Sequence, residues 1–171
     1  VRYLLEEMKV PPQTILVITF TKAAATEMRE RFVKLMGESK GVQFATFHSI
    51  FFMILRVSYG YGVDRIISEE MTRNFLKEKI RTLDLEEGDE KDFIKNVIGE
   101  ISRVKSEGVD IENYYSISCP EEAFRDIFRS YEAFMKERGL IDFDDMMILC
   151  DKLFSDYPHI LEAWQSKFTY I

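Results

Sequence analysis

Residues 15–31, ILVITFTKAAATEMRER, decide the fold expected for this chain. The first four, Ile15 to Ile18, form a continuously apolar run, which is typical of a strand buried on both faces of a parallel sheet. After Thr21, apolar residues recur at helical spacing and charged residues take the opposite face. The apolar positions are Ala23, Ala24, Met28, Phe32 and Leu35. We therefore predict a strand that runs directly into a helix.

The junction between this strand and helix carries the first candidate functional residues. In open α/β sheets, ligands bind at the carboxyl ends of the strands, and a helix N-terminus there offers backbone N–H groups to an anion. Phe20 lies at this junction with Thr19, Thr21 and Lys22, which can all hold a phosphate. An aromatic ring among phosphate-binding groups suits single-stranded nucleic acid, because bases stack on the ring and the backbone is charged. The alternative is that Phe20 packs into the core and Lys22 is merely solvated.

A second strand, predicted at 42–47, leads into another helix that carries Phe51, Phe52, Ile54 and Leu55. Two strand–helix units in succession indicate a parallel α/β sheet. We predict that residues 1–65 form part of an α/β domain with these two units.

The residues after this domain are predicted to form an all-helical insert over 66–167. Ser68 begins one helix, residues 86–90 form a charged connection, and Ser118-Cys119-Pro120-Glu121 is a capping box for the next helix. The apolar stripe of that helix, at 124–135, is predicted to be core. Residues 168–171 resemble the start of a further sheet strand.

Three carboxylates near the end of the insert, Asp142, Asp144 and Asp145, resemble a group for acid–base or metal chemistry. Neither a histidine nor a second acidic cluster accompanies them, so we interpret Asp142 as a helix cap and the others as complements to the helix dipole. Phe143 between them is predicted to be core.

Composition limits the class of protein. At 171 residues and 46% hydrophobic residues, the chain can bury a core. Cys119 and Cys150 have no metal-ligand spacing, which predicts reduced thiols and no metal site. There is neither an apolar run near eighteen residues nor a signal-peptide pattern, so we expect no membrane association and a cytoplasmic location. The chain starts with Val1 and not Met, which suggests that it is cut from something longer.

The net charge of −7 argues against a uniformly basic nucleic-acid binder. The charge is unevenly distributed, however. Residues 1–65 contain nine Lys and Arg against six Asp and Glu, whereas residues 66–171 contain fourteen against twenty-four. A DNA surface, if present, is therefore predicted in the first third of the chain.

Four segments resemble conserved motifs of the UvrD/Rep family of DNA helicases, in the family's order and spacing. Residues 19–31 resemble the pattern T-F-T-N-K-A-A-x-E-M-x-x-R, and ATFHSI at 45–50 resembles the family's T-F-H-S element. LIDFDDM at 140–146 resembles L-x-D-F-D-D-L, and residues 157–171 resemble the lead-in to the Asp-Glu-x-x motif. One departure is that Lys22-Ala23 stands where the family commonly has Asn-Lys, a variant similar to the AddA/RecB-like branch.

The resemblance implies a fold, a partner and a site. The fold would be α/β, a partial P-loop-type parallel sheet of two or three strands with a mainly helical inserted subdomain. The parent protein would unwind DNA with ATP and Mg²⁺. Its partner would be single-stranded DNA or a single/double-strand junction, and this chain would also contact the remaining helicase domains of the parent. Phe20 would stack on bases, and backbone contacts would come from Thr19, Thr21, Thr46 and His48, with Lys22 as a further candidate.

The nucleotide-binding residues of that family have no counterpart in this sequence. None of the eight glycines is followed by Lys, as a phosphate loop requires. The one adjacent Asp-Glu pair, Asp89-Glu90, lies in a polar connection. We expect the chain by itself to have no catalytic residues and to bind no ATP, Mg²⁺ or other cofactor.

Two other functions remain open from the sequence. The chain could be an acidic helical protein-interaction module in which residues 66–171 recruit a partner. It could also be the helicase part of an AddA-like helicase–nuclease, which Lys22-Ala23 favours and the DFDD segment disfavours.

Overall fold

The computed structural model describes residues 1–38, 41–85 and 89–171. The chain divides into two compact units, one formed by Val1–Gly60 with Leu149–Ile171 and the other by Tyr61–Ile148. The division at 65/66 and 167/168 stays a prediction from the sequence. Residues 86–88 of the predicted charged connection lie outside the described residues.

The described residues are mostly helical and carry one small parallel sheet, which confirms the predicted α/β class with a helical insertion. The strands are β1 (Leu16–Thr19) and β2 (Gln43–Thr46). The helices are α1 (Arg2–Glu6), α2 (Lys22–Met36), α3 (Phe47–Tyr59), α4 (Glu69–Thr82), α5 (Glu90–Glu107), α6 (Glu121–Arg138), α7 (Phe143–Asp156) and α8 (Pro158–Lys167).

The sheet pairs β1 with β2 in parallel, with Thr19 opposite Thr46 at the carboxyl ends. On the other side of β1, an isolated parallel bridge joins Ile15 to Tyr170, and the Leu16 N–H donates to the Tyr170 carbonyl at 2.9 Å. The prediction that β2 includes Phe47 is wrong by one residue. The cause is local, because Thr46 and Ser49 form a capping box that starts α3 at Phe47.

One hydrophobic cluster of the first unit is built around the sheet. Its buried members are Val10, Ile15, Phe32, Val42 and Phe44. Helix α2 presents Ala25 and Phe32 to the interior, whereas Met28 and Leu35 are exposed. The predicted apolar face of α2 was therefore partly wrong, since the buried face is rotated from the one that the sequence pattern indicated.

Side chains form hydrogen bonds with backbone groups of β2 on the side of the strand away from β1. The Arg29 guanidinium donates to the Phe44 carbonyl at 3.2 Å. The Ser49 hydroxyl accepts from the Thr46 N–H at 2.9 Å and donates to the Thr46 carbonyl at 2.8 Å. Because an edge strand otherwise offers these groups to another strand, both side chains protect the edge against pairing.

The second unit has its own core, to which α4, α5 and α6 all contribute. Its most deeply buried members include Leu76, Val97, Phe124 and Ile127, which confirms the predicted core stripe of α6. Ser68 caps α4, as predicted, by accepting from the Met71 N–H at 3.1 Å.

The capping box predicted at 118–121 is wrong. Helix α6 has Pro120 as its N-cap, with no side-chain cap hydrogen bond. The Ser118 hydroxyl instead donates to the carboxylate of Glu100 on α5, which also accepts from the Ile117 N–H at 3.2 Å. Because Glu100 is buried, its carboxylate requires hydrogen-bond donors. The Ser118 hydroxyl therefore bonds to Glu100 and not to the N-terminus of α6.

Candidate nucleic-acid interface

The carboxyl edge of the sheet brings two helix starts together. Since Thr19 and Thr46 are opposite each other in parallel strands, the residues that follow them leave the sheet at the same edge. Helix α2 begins at Lys22 and α3 begins at Phe47, so both N-termini lie where an α/β sheet places its ligands.

Phe20 lies on this edge with its side chain in solvent. It is 84% exposed, although phenylalanine is one of the residues most often buried. The alternative in which Phe20 packs into the core is therefore wrong. An exposed ring at this edge offers a flat apolar surface to a ligand.

Thr21 and Thr46 are the N-cap residues of α2 and α3. The Thr21 hydroxyl oxygen accepts from the Ala24 N–H at 3.1 Å, and that of Thr46 accepts from the Ser49 N–H at 3.2 Å. Each threonine thus fixes the first turn of the helix that follows it.

Lys22 is the first residue of α2 and His48 the second of α3, and both are exposed. The structure therefore places Thr19, Phe20, Thr21 and Lys22 at the end of one strand, and Thr46 and His48 at the end of its neighbour. Their assignment as DNA contacts stays a prediction.

Sequence reasoning missed one aromatic residue at this edge, Phe47. Its ring centroid lies 5.2 Å from that of Phe20, with 43° between the ring planes. It also lies 6.4 Å from the ring of Phe51, one turn further along α3. The signal was present as a repeated Thr-Phe dipeptide, Thr19-Phe20 and Thr46-Phe47, at the ends of neighbouring strands.

A buried ion cluster in the second unit was also missed. The Lys105 ammonium lies 2.6 Å from Asp145, 2.7 Å from Asp142 and 3.2 Å from Glu132. Asp142 caps α7 as predicted, because its carboxylate accepts from the Asp145 N–H at 2.8 Å. Asp145 was predicted only to complement the helix dipole, but its carboxylate also forms an ion pair with Lys105 of α5.

Electrostatics in this cluster follow from burial and charge. Burial lowers the pKa of Lys105, but the attraction of Asp142 and Asp145 outweighs it, so the pKa lies above its ordinary value. For Asp145, burial and then repulsion by Asp142 raise the pKa, and Lys105 opposes both.

Phe143, between these carboxylates, is 56% exposed, so its prediction as core is wrong. The buried face of α7 begins at Met146, and Phe143 lies beyond that face at the first position of the helix. Among the residues that the structure describes, no group of three or more His, Cys, Asp or Glu could hold a metal ion.

The parallel strand pair and the helical unit together define an α/β fragment with a helical insertion. The model of the UvrD/REP helicase N-terminal domain matches residues 1–171, and the chain belongs to this family. The expected family resemblance is thereby confirmed.

Curated relatives agree with this assignment. The chain is 31% identical over 180 positions to a probable DNA helicase II homolog of Mycoplasma capricolum, and 32% identical over 182 positions to the ATP-dependent DNA helicase PcrA of Bacillus subtilis. Both alignments cover 100% of this chain but only 25% and 24% of the relatives. The chain thus spans about a quarter of the length of these relatives. No helix in the described ranges is long and apolar enough to cross a membrane.

Proposed function

We propose that this chain is the part of an ATP-dependent DNA helicase that contacts single-stranded DNA. The observation that carries the proposal is the 84% exposure of Phe20 at the carboxyl edge of the sheet. Base–aromatic stacking tolerates any sequence because every base has a π-face, which a translocating enzyme requires. The partner is single-stranded DNA or the single strand at a junction with duplex.

The polar residues around Phe20 suit the phosphate backbone. Thr19 and Thr46 lie opposite each other, and Lys22 and His48 occupy the first turns of their helices, where the helix dipole also favours an anion. In this proposal Phe20 holds a base, Thr19, Thr21, Thr46 and His48 contact the backbone, and Lys22 adds a positive charge.

ATP and Mg²⁺ belong to the proposed helicase as a whole and have no fitting site in the described part of this chain. Of the one Asp-Glu pair, Asp89 caps α5 by accepting from the Lys91 N–H at 2.8 Å, and Glu90 pairs with Lys77 at 2.6 Å. Both carboxylates are thus engaged at the start of α5. We propose that residues outside this chain bind the nucleotide.

The test is binding of labelled single-stranded oligonucleotide to the full-length product of the gene, measured by fluorescence anisotropy at several salt concentrations. A stacked base contributes about 1–3 kcal/mol, so Phe20→Ala should weaken binding about 5- to 150-fold. The matched control is Leu35→Ala, which removes another exposed apolar side chain, 70% exposed, from the last turn of α2. This control should leave the affinity unchanged.

Phosphate contacts make affinity fall steeply with salt. If the folded wild-type protein binds no single-stranded DNA, the proposal is wrong, and the acidic interaction module becomes the better account. If binding is salt-sensitive but equal in wild type and Phe20→Ala, the stacking role of Phe20 is wrong.

A further inference from the structure

We infer that Phe47 is a positioning residue that supports the ring of Phe20 and keeps its open face presented to a base. This inference rests on the proposed function. It concerns a residue that was not among the predicted DNA contacts.

The first step is the register of the sheet. Because Thr19 pairs with Thr46, Phe20 and Phe47 leave the sheet side by side, and neighbouring strands lie about 4.8 Å apart. The ring centroids lie 5.2 Å apart, within the range of a favourable aromatic pair. The pairing thus follows from the register itself.

The second step is the difference in how the two residues are held. Phe20 lies between β1 and α2, outside both elements, and is 84% exposed. Phe47 is the first residue of α3 and is only 38% exposed. Its backbone is fixed by the capping box of Thr46 and Ser49, and its ring contacts Phe51. Phe47 is therefore the anchored partner, and Phe20 gains order from it.

The third step separates support from direct binding. The two ring planes are tilted by 43°, so a base that lies flat on Phe20 cannot also lie flat on Phe47. Since Phe20 remains 84% exposed beside Phe47, we place the base on the part of the Phe20 ring that Phe47 leaves open. One base per Phe20 is the expected arrangement.

The experiment uses the full-length gene product and an oligonucleotide that contains 2-aminopurine, whose emission reports base stacking. Loss of the aromatic pair should weaken binding about 2- to 10-fold in Phe47→Leu and should reduce the change in 2-aminopurine emission on binding. Phe47→Tyr keeps the ring and should restore both. Tyr59→Ala, at the other end of α3 with a similar exposure of 43%, is the matched control and should change neither.

A double-mutant cycle with Phe20→Ala distinguishes the alternatives. If Phe47 acts through Phe20, Phe47→Leu should have no further effect once Phe20 is alanine. Additive losses would overturn the inference and make Phe47 an independent base contact. Wild-type affinity and emission in Phe47→Leu, with binding weakened by Phe20→Ala, would overturn it while leaving the proposed function intact. Absence of wild-type binding would instead overturn the proposed function, and this inference with it.

Discussion

Replacing Lys105 with methionine should destabilise the Tyr61–Ile148 unit by about 3–5 kcal/mol, the usual cost of removing one partner from a buried ion pair. The Lys105 side chain is only 4% exposed, and Asp142 and Asp145 are 14% and 20% exposed. Methionine fills much the same volume but leaves both carboxylates without a counter-charge in a poorly solvated site. With a denaturant slope of about 2 kcal/mol/M, the urea midpoint of this unit should fall by about 2 M.

Hydrogen exchange of peptides from α5 and α6 in the full-length gene product measures this change, because the two helices lie within the unit. The matched control is Lys79→Met, since Lys79 is 22% exposed and pairs with Asp126, which is 48% exposed. The control should cost less than about 1 kcal/mol. Equal losses in the two variants would refute the argument that burial makes the Lys105 cluster costly to break.

Two further predictions concern the unit of Tyr61–Ile148. The stability deficit of Lys105→Met relative to wild type should be smaller at about pH 5 than at about pH 7.5. Lys105 lowers the pKa of Asp145 against burial and the repulsion of Asp142, so its removal should raise that pKa further. Because a carboxylate with a raised folded pKa costs stability as pH rises through that pKa, the variant should lose more stability than the wild type over this range. An equal deficit at both pH values in urea unfolding would contradict this. Glu100→Gln should cost about 1–3 kcal/mol and speed exchange of the Ile117 amide, since the buried carboxylate accepts from Ile117 and Ser118. Glu122→Gln, with a side chain that is 89% exposed, is its control, and similar exchange rates in the two variants would count against the role of Glu100.

The sequence predicted best those features that depend on neighbouring residues. The junction at residues 19–22, the cap at Ser68 and the cap at Asp142 were all predicted, because each depends on contacts within one turn. Asp142 shows why such signals are reliable, since the Asp145 N–H that donates to its carboxylate lies only three residues further along the chain.

Features that depend on distant residues were not predicted. Ser118 has the sequence context of a helix cap, but its hydroxyl is taken by Glu100, eighteen positions earlier in the chain. Lys105 reads as an ordinary charge on the solvated face of α5, and only its contact with Asp142, thirty-seven positions later, reveals its role. Periodicity within one segment contains no information on either partner.

The candidate site was predicted only in part, for a related reason. Phe20 was found because the motif around it is contiguous. Phe47 was overlooked because its importance depends on the pairing of Thr19 with Thr46, which a single segment does not specify. The exposure of Phe143 likewise depends on where the packed face of α7 begins.

The division of the chain also has a consequence for the order of folding during synthesis. The unit of Tyr61–Ile148 is continuous and contains its own core, so it can fold as soon as it leaves the ribosome. The unit that begins at Val1 needs residues 149–171, including Tyr170, whose carbonyl accepts from Leu16. β1, which leads to Phe20, is thus synthesised about 150 residues before its neighbour at Tyr170. At about 5–20 residues per second, β1 waits about 8–30 s for that neighbour. During this time Arg29 and Ser49 occupy backbone groups of β2 with which another strand could otherwise pair.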